Sequence, residues 1–118
     1  MGSSFKDLVI WQRAVQLCLE IYRLTAVFPK AEQFGLSNQL RRASVSIASN
    51  IAEGWGRSTR GEYLQFLGHA RGSLCELQSQ LVIAKALGFG LVESHQPVED
   101  MSADVSRLLI ALTKKMRS

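Results

Sequence analysis

Apolar residues recur along the chain at three- and four-residue intervals, and the pattern breaks around Pro29, around Gly54 to Gly56 and around Gly88 to Gly90. That spacing is the mark of amphipathic helices, not strands. It predicts four of them. The first runs from about Phe5 to Val27, with Ser3 or Ser4 as its cap and Pro29 stopping it. The second runs from Gly35 or Leu36 to Glu53, followed by Gly54-Trp55-Gly56 as a glycine stop signal. The third opens on the capping-box sequence Thr59-Arg60-Gly61-Glu62 and continues from about Arg60 to Leu87. The fourth starts near Pro97, with Ser94 or His95 before it, and reaches about Lys115.

Helix one carries two apolar stripes. Leu8, Trp11, Val15, Cys18 and Tyr22 form one; Ile10, Ala14, Leu17, Ile21 and Leu24 form the other. Together they span roughly 220° of the helix, against the ~100° that a surface helix needs. The surplus predicts an interface between copies of the chain, assigned to Ile10, Leu17, Ile21 and Leu24. Helix two has a core face of Leu36, Leu40, Ala43, Ile47 and Ile51, flanked by a polar seam of Gln39, Ser46, Asn50 and Glu53. Helix three has a sustained core stripe from Tyr63 to Ala84 and its own seam of Glu62, His69, Ser73, Glu76 and Gln80. Gly61, Gly68 and Gly72 lie on the back of helix three, where each interior glycine costs ~1 kcal/mol relative to alanine. A close neighbour on that face is expected. Val98, Met101, Val105, Leu108, Leu109 and Leu112 give helix four a single stripe.

Four amphipathic helices with short connections predict an all-α, antiparallel up-down four-helix bundle. The length of 118 residues suits one domain covering the whole chain, and the apolar fraction of 47% excludes disorder. No apolar run reaches the ~18 residues of a membrane span, and no signal peptide is visible, so the expected location is the cytoplasm. Cys18 and Cys75, each in a helical apolar pattern, read as reduced core thiols.

Candidate chemistry is sparse. A di-metal bundle site needs Glu-x-x-His pairs, and none occurs; His69 and Glu76 share a face but lie about 10 Å apart along the axis. No nucleophile elbow or phosphate loop opens a helix after a strand. Gly54-Trp55-Gly56 closes a helix instead. The expectation is a non-enzymatic protein with no catalytic residues, no metal and no cofactor. His95 reads as an exposed loop residue.

The polar seams and the arginines say more. In a hairpin turning at Gly54 to Arg57, residues near Gln39 and Arg41 come level with Glu76, and Asn50 with Tyr63. Asn50, Glu53, Glu76 and Arg41 or Arg42 could then form a hydrogen-bonded network that sets helix register, or line a binding groove; the register role is favoured. The net charge is +4. The basic residues fall into three groups: Arg41 with Arg42; Arg57, Arg60 and Arg71; and Lys114, Lys115 and Arg117. Arginine suits bidentate contact with phosphate, which makes these the candidate nucleic-acid contacts.

Several stretches together resemble a known family: FKDLVIWQ (Phe5 to Gln12), Phe28-Pro29, FGLSNQLRRA (Phe34 to Ala43), SVSIASNIAEG (Ser44 to Gly54), GRS (Gly56 to Ser58) and GSLCEL (Gly72 to Leu77). The chain resembles the bacterial four-helix-bundle proteins encoded in 23S rRNA intervening sequences. That family includes the accessory variability determinants of diversity-generating retroelements. The resemblance implies a ring- or barrel-shaped homopentamer. In the retroelement branch it also implies a basic surface that binds nucleic acid, RNA or DNA, and a reverse transcriptase partner. Carried onto this chain, the family motif falls on Arg41, Arg42, Ser46, Asn50, Glu53, Gly54, Arg57, Gly72, Ser73 and Glu76, none of them catalytic. The alternative to nucleic-acid binding is a protein-interaction scaffold or accessory subunit for such an enzyme.

Overall fold

A computed structural model describes residues 4–118. Ser3, one of the two expected caps, lies outside the described residues. Ser4 does cap, but it caps a short 3-10 turn over Phe5–Asp7, its hydroxyl accepting from Lys6 N at 3.1 Å. The four helices are α1 (Val9–Thr25), α2 (Leu36–Trp55), α3 (Arg60–Ala86) and α4 (Val92–Arg117). Consecutive helices pack side by side, and α4 closes back onto α1. The result is a four-helix bundle 43 Å long and about half as wide.

Local chemistry accounts for most of the ends. Glu32 reaches forward so that its Oε1 accepts from Leu36 N at 3.0 Å, placing a carboxylate at the positive end of α2. Thr59 Oγ1 accepts from Glu62 N at 3.1 Å and starts α3. The capping box is only half made, because Glu62 turns its carboxylate to the Thr59 hydroxyl at 3.1 Å. α3 ends in a Schellman turn: Phe89 N bonds to Ala84 O at 3.0 Å, Gly88 N bonds to Lys85 O at 3.1 Å, and Gly88 takes a φ of 76°.

Two ends differ from expectation. α2 runs on through Gly54, which is buried inside the helix, and Gly56 caps it with an ordinary φ of −79°. Gly54 serves helix packing: a Cβ there would stand 2.9 Å from Phe66 Cβ and 3.0 Å from Tyr63 Cδ1. α4 begins at Val92, five residues before Pro97. Proline is tolerated there because both Pro97 and Glu93, whose carbonyl it cannot bond, lie on the exposed side. His95 is therefore a buried helix residue, not an exposed loop residue, at 3% exposure.

The core settles the two stripes of α1. Ile10, Leu17, Ile21 and Leu24, assigned from sequence to an interface between copies, are the protomer's own core; Leu17 and Ile21 are wholly buried. The second stripe is used as well. Leu8 and Trp11 pack against the core from the side, and Cys18 and Tyr22 turn toward α2. A helix at the corner of a bundle has two neighbours, so much of a wide apolar arc is used within the protomer, while Tyr22 stays 43% exposed. Each fully buried leucine or isoleucine contributes about 1.5–3 kcal/mol. Cys18 is half-buried as a thiol beside Ser44, whereas Cys75 is exposed and not a core residue.

The back of α3 is open. Nothing within the protomer comes within 4 Å of a Cβ placed at Gly61, Gly68 or Gly72.

Candidate functional site

The α2–α3 crossing is pinned by short polar bridges. Ser46 Oγ and Ser73 Oγ lie 2.9 Å apart, and Asn50 Nδ2 donates to Ser46 O at 2.8 Å and to Ser46 Oγ at 3.0 Å. Further along, Gln80 Nε2 donates to Gln39 Oε1 at 3.4 Å. This register sets Asn50 level with His69, nearly two helical turns (about 9 Å) from the Tyr63 expected. The expected network does not form. Asn50 stays within the serine bridge, Glu53 pairs with Arg57 at 2.7 Å, and Glu76 is exposed with no hydrogen-bond or ion-pair partner among the described residues.

The basic residues do not gather into one patch. Arg57 is held by its own neighbours: besides Glu53, it lies 4.0 Å from Glu62 and its guanidinium sits 4.7 Å above the Phe66 ring. Arg60 donates to Ser118 O at 3.4 Å, which places it with Lys114, Lys115 and Arg117 at one end of the bundle. Arg71 is exposed midway along α3. Arg41 and Arg42 stand apart from both, in the first half of α2.

Arg41 and Arg42 line two grooves that meet at α2. One, of 480 Å³, lies between α1 and α2 and is bordered by Tyr22, Asn38, Arg41, Arg42, Val45 and Ser46. The Arg41 guanidinium sits 4.8 Å above the Tyr22 ring, and Arg41 Nε donates to Thr25 Oγ1 at 2.8 Å. The other, of 370 Å³, lies between α2 and α3 and is bordered by Gln39, Arg42, Ala43, Ser46, Ser73, Glu76 and Gln80. Arg42 and Ser46 form the ridge between them. Among the described residues neither Arg41 nor Arg42 has a carboxylate within 4.0 Å, while Arg23, Arg57, Arg107 and Lys85 each do. Unpaired guanidinium groups beside an exposed tyrosine can contact phosphates and stack on bases.

At the hairpin end the Trp55 and Tyr63 rings meet edge to face with centroids 6.5 Å apart. Burial pushes the Tyr63 phenol above its ordinary value of 10.0. Among the described residues no group of three or more His, Cys, Asp or Glu side chains could hold a metal ion. Among them, too, no helix is long and apolar enough to cross a membrane.

Residues 6–111 match the family model described as 23S rRNA-intervening sequence protein. The chain belongs to that family. Among solved structures it is similar to a protein of unknown function from the S23 ribosomal protein family of Bacteroides thetaiotaomicron. The two share 21% identity over 90% of this chain and 99% of the other, with a TM-score of 0.80. At that identity the likeness concerns the fold. No curated protein matches the chain.

Sequence reasoning named Arg41, Arg42 and both polar seams, but it missed Tyr22 as a groove residue. Tyr22 reads in sequence as one more member of an apolar stripe, and only the packing of α1 against α2 turns its ring toward Arg41.

Proposed function

We propose that this family member is a non-enzymatic protein that binds nucleic acid, structured RNA or DNA, as a homo-oligomer of five copies. The observation that carries the reading is the pair Arg41 and Arg42, free of carboxylate partners among the described residues and lining adjoining grooves beside Tyr22. The cations at the far end, Arg60, Lys114, Lys115 and Arg117, form a second, separate positive surface that holds a strand by charge alone.

The test is equilibrium binding of labelled RNA and DNA across a salt series. Affinity should fall linearly on a log–log plot with salt. The double variant R41A/R42A should bind more weakly, with a salt slope lower by about one for each of the two arginines that neutralises a phosphate. Absent binding at low salt, or binding without a salt slope, removes the reading.

The five-copy ring, which the family likeness implies, needs apolar surface that the bundle leaves open. Ile10, Leu17, Ile21 and Leu24 are spent in the core, so we place that interface at the α3–α4 turn, where Val82, Leu87, Leu91 and Val92 are exposed. Light scattering should report about five times the 13.1 kDa protomer mass, and a monomer refutes it. The same apolar end supports a second reading, a scaffold for a protein partner such as a reverse transcriptase. A partner retained after nuclease treatment, with no intrinsic RNA or DNA affinity, would favour that one.

A further inference from the structure

The α2–α3 groove has a polarity that a phosphate site would not have. Its α3 wall presents acceptors. Gln80 is 7% exposed and its Oε1 has no hydrogen-bond partner, while the Glu76 carboxylate stands at the rim without a cation within 4.0 Å among the described residues. Its α2 wall presents a donor, the Arg42 guanidinium, which no carboxylate among the described residues neutralises. The floor is closed by the Ser46–Ser73 bridge, whose hydroxyls already satisfy each other. An unpaired buried acceptor is costly, and a carboxylate beside it repels phosphate. A ligand that complements these walls carries N–H donors on one edge and acceptors on another.

We propose that this groove receives an unpaired guanine base of a bound strand, an inference that rests on the nucleic-acid reading above. Guanine is the base whose edges match: N1–H and the N2 amino group donate together, and O6 with N7 accept together. Glu76 accepts from N1–H and N2–H, Gln80 Oε1 takes the remaining amino proton once its amide turns into the groove and gives up the 3.4 Å bond to Gln39, and Arg42 donates to O6 and N7, the commonest arginine–base contact. Uracil offers a single N–H between two carbonyls. Adenine and cytosine each offer one amino group and no second donor beside it. Glu76 and Gln80 would leave an acceptor unfilled with any of these. An unpaired base exposes all these edges at once, as a paired one does not. The groove is 370 Å³, roomy enough for a purine, and opens beside the Tyr22–Arg41 groove along which the strand would run.

The test measures anisotropy of a labelled short oligouridine, and of the same strand with one central guanosine, adenosine, cytidine or inosine, at one salt concentration. The guanosine strand should bind about tenfold more tightly than the oligouridine, and inosine, which lacks the N2 amino group, should lose most of that gain. E76Q should reduce the guanosine strand to the affinity of the oligouridine strand. Because Glu76 is exposed and unbonded, the variant should fold, and the inosine comparison needs no variant at all. Equal affinity for all five strands, or a guanosine preference that survives both inosine and E76Q, overturns the inference and leaves the nucleic-acid reading standing. If no strand binds, both fall together.

Discussion

Gly54 offers the sharpest test of how α2 meets α3. Replacing it with alanine adds a Cβ at 2.9 Å from Phe66 Cβ, 3.0 Å from Tyr63 Cδ1 and 3.4 Å from the Tyr63 carbonyl oxygen. Carbon atoms rest about 3.5–4.0 Å apart, so α3 must recede by half an ångström or more. Rotating a side chain cannot relieve the contact, because Phe66 Cβ is fixed to the backbone. Against this, alanine gains ~1 kcal/mol in helix propensity. Overpacking of a rigid core contact costs about 1–3 kcal/mol, and a contact made with the main chain belongs near the top of that range. The net expectation for Gly54→Ala is a loss of about 1–2 kcal/mol.

Gly68→Ala and Gly72→Ala make the same chemical change where a Cβ meets nothing within 4 Å. Each should gain up to ~1 kcal/mol from propensity alone. Urea unfolding followed by circular dichroism, at one fixed protomer concentration, reads all three as shifts in midpoint at constant slope. The fixed concentration matters because self-association moves apparent stability. The reasoning is refuted if Gly54→Ala is as stable as the parent or shifts the same way as Gly68→Ala. A loss at Gly68 or Gly72 that grows with concentration would instead place a neighbouring copy on the open face of α3.

Three further outcomes are expected. Glu76→Ala should change stability by less than about 0.5 kcal/mol, since the side chain is exposed and unbonded; a loss of more than about 1 kcal/mol would mean that Glu76 anchors the crossing after all. His95→Ala should cost about 1–3 kcal/mol in thermal or urea unfolding, because the buried ring fills the α3–α4 turn and its Nε2–H is 2.7 Å from Phe89 O; an unchanged midpoint would show that bond to be idle. Tyr63 is held neutral by burial, with its phenol raised above 10.0, so the folded state keeps a proton that the unfolded chain releases. Stability is therefore unaffected by this group below pH 10 and declines as pH rises from 10.0 toward the folded-state value, because the unfolded chain ionises first. The melting temperature should fall more steeply above pH 10 in the parent than in Tyr63→Phe, and identical profiles would count against a buried phenol.

Much of the fold was legible in the chain because helices are local objects. The period of the apolar residues placed α2 and α3 to within about two residues, and Gly88 ended α3 for the reason glycine usually does, a positive φ in a Schellman turn. α4 was misplaced by a proline that a helix's early turns tolerate. The candidate site was legible only in part. Arg41, Arg42, Gln39, Ser46, Ser73, Glu76 and Gln80 all stand out as polar positions beside a core stripe, but periodicity does not say which of them touch. Glu76 and Asn50, expected in one network, sit at different levels and have separate surroundings.

What the sequence by itself determined is the set of helices and the residues able to form a core, since both follow from spacings of three and four along one chain. Tertiary structure alone decided the rest. It put Ile10, Leu17, Ile21 and Leu24 inside the protomer, because a helix at a bundle corner buries two faces. It made Gly54 a contact point instead of a stop, because α3 approaches there to within one missing methyl group. It left Arg42 and Glu76 on facing walls of an open groove, because the register of two antiparallel helices is set by how their surfaces interlock, which no spacing within either helix encodes.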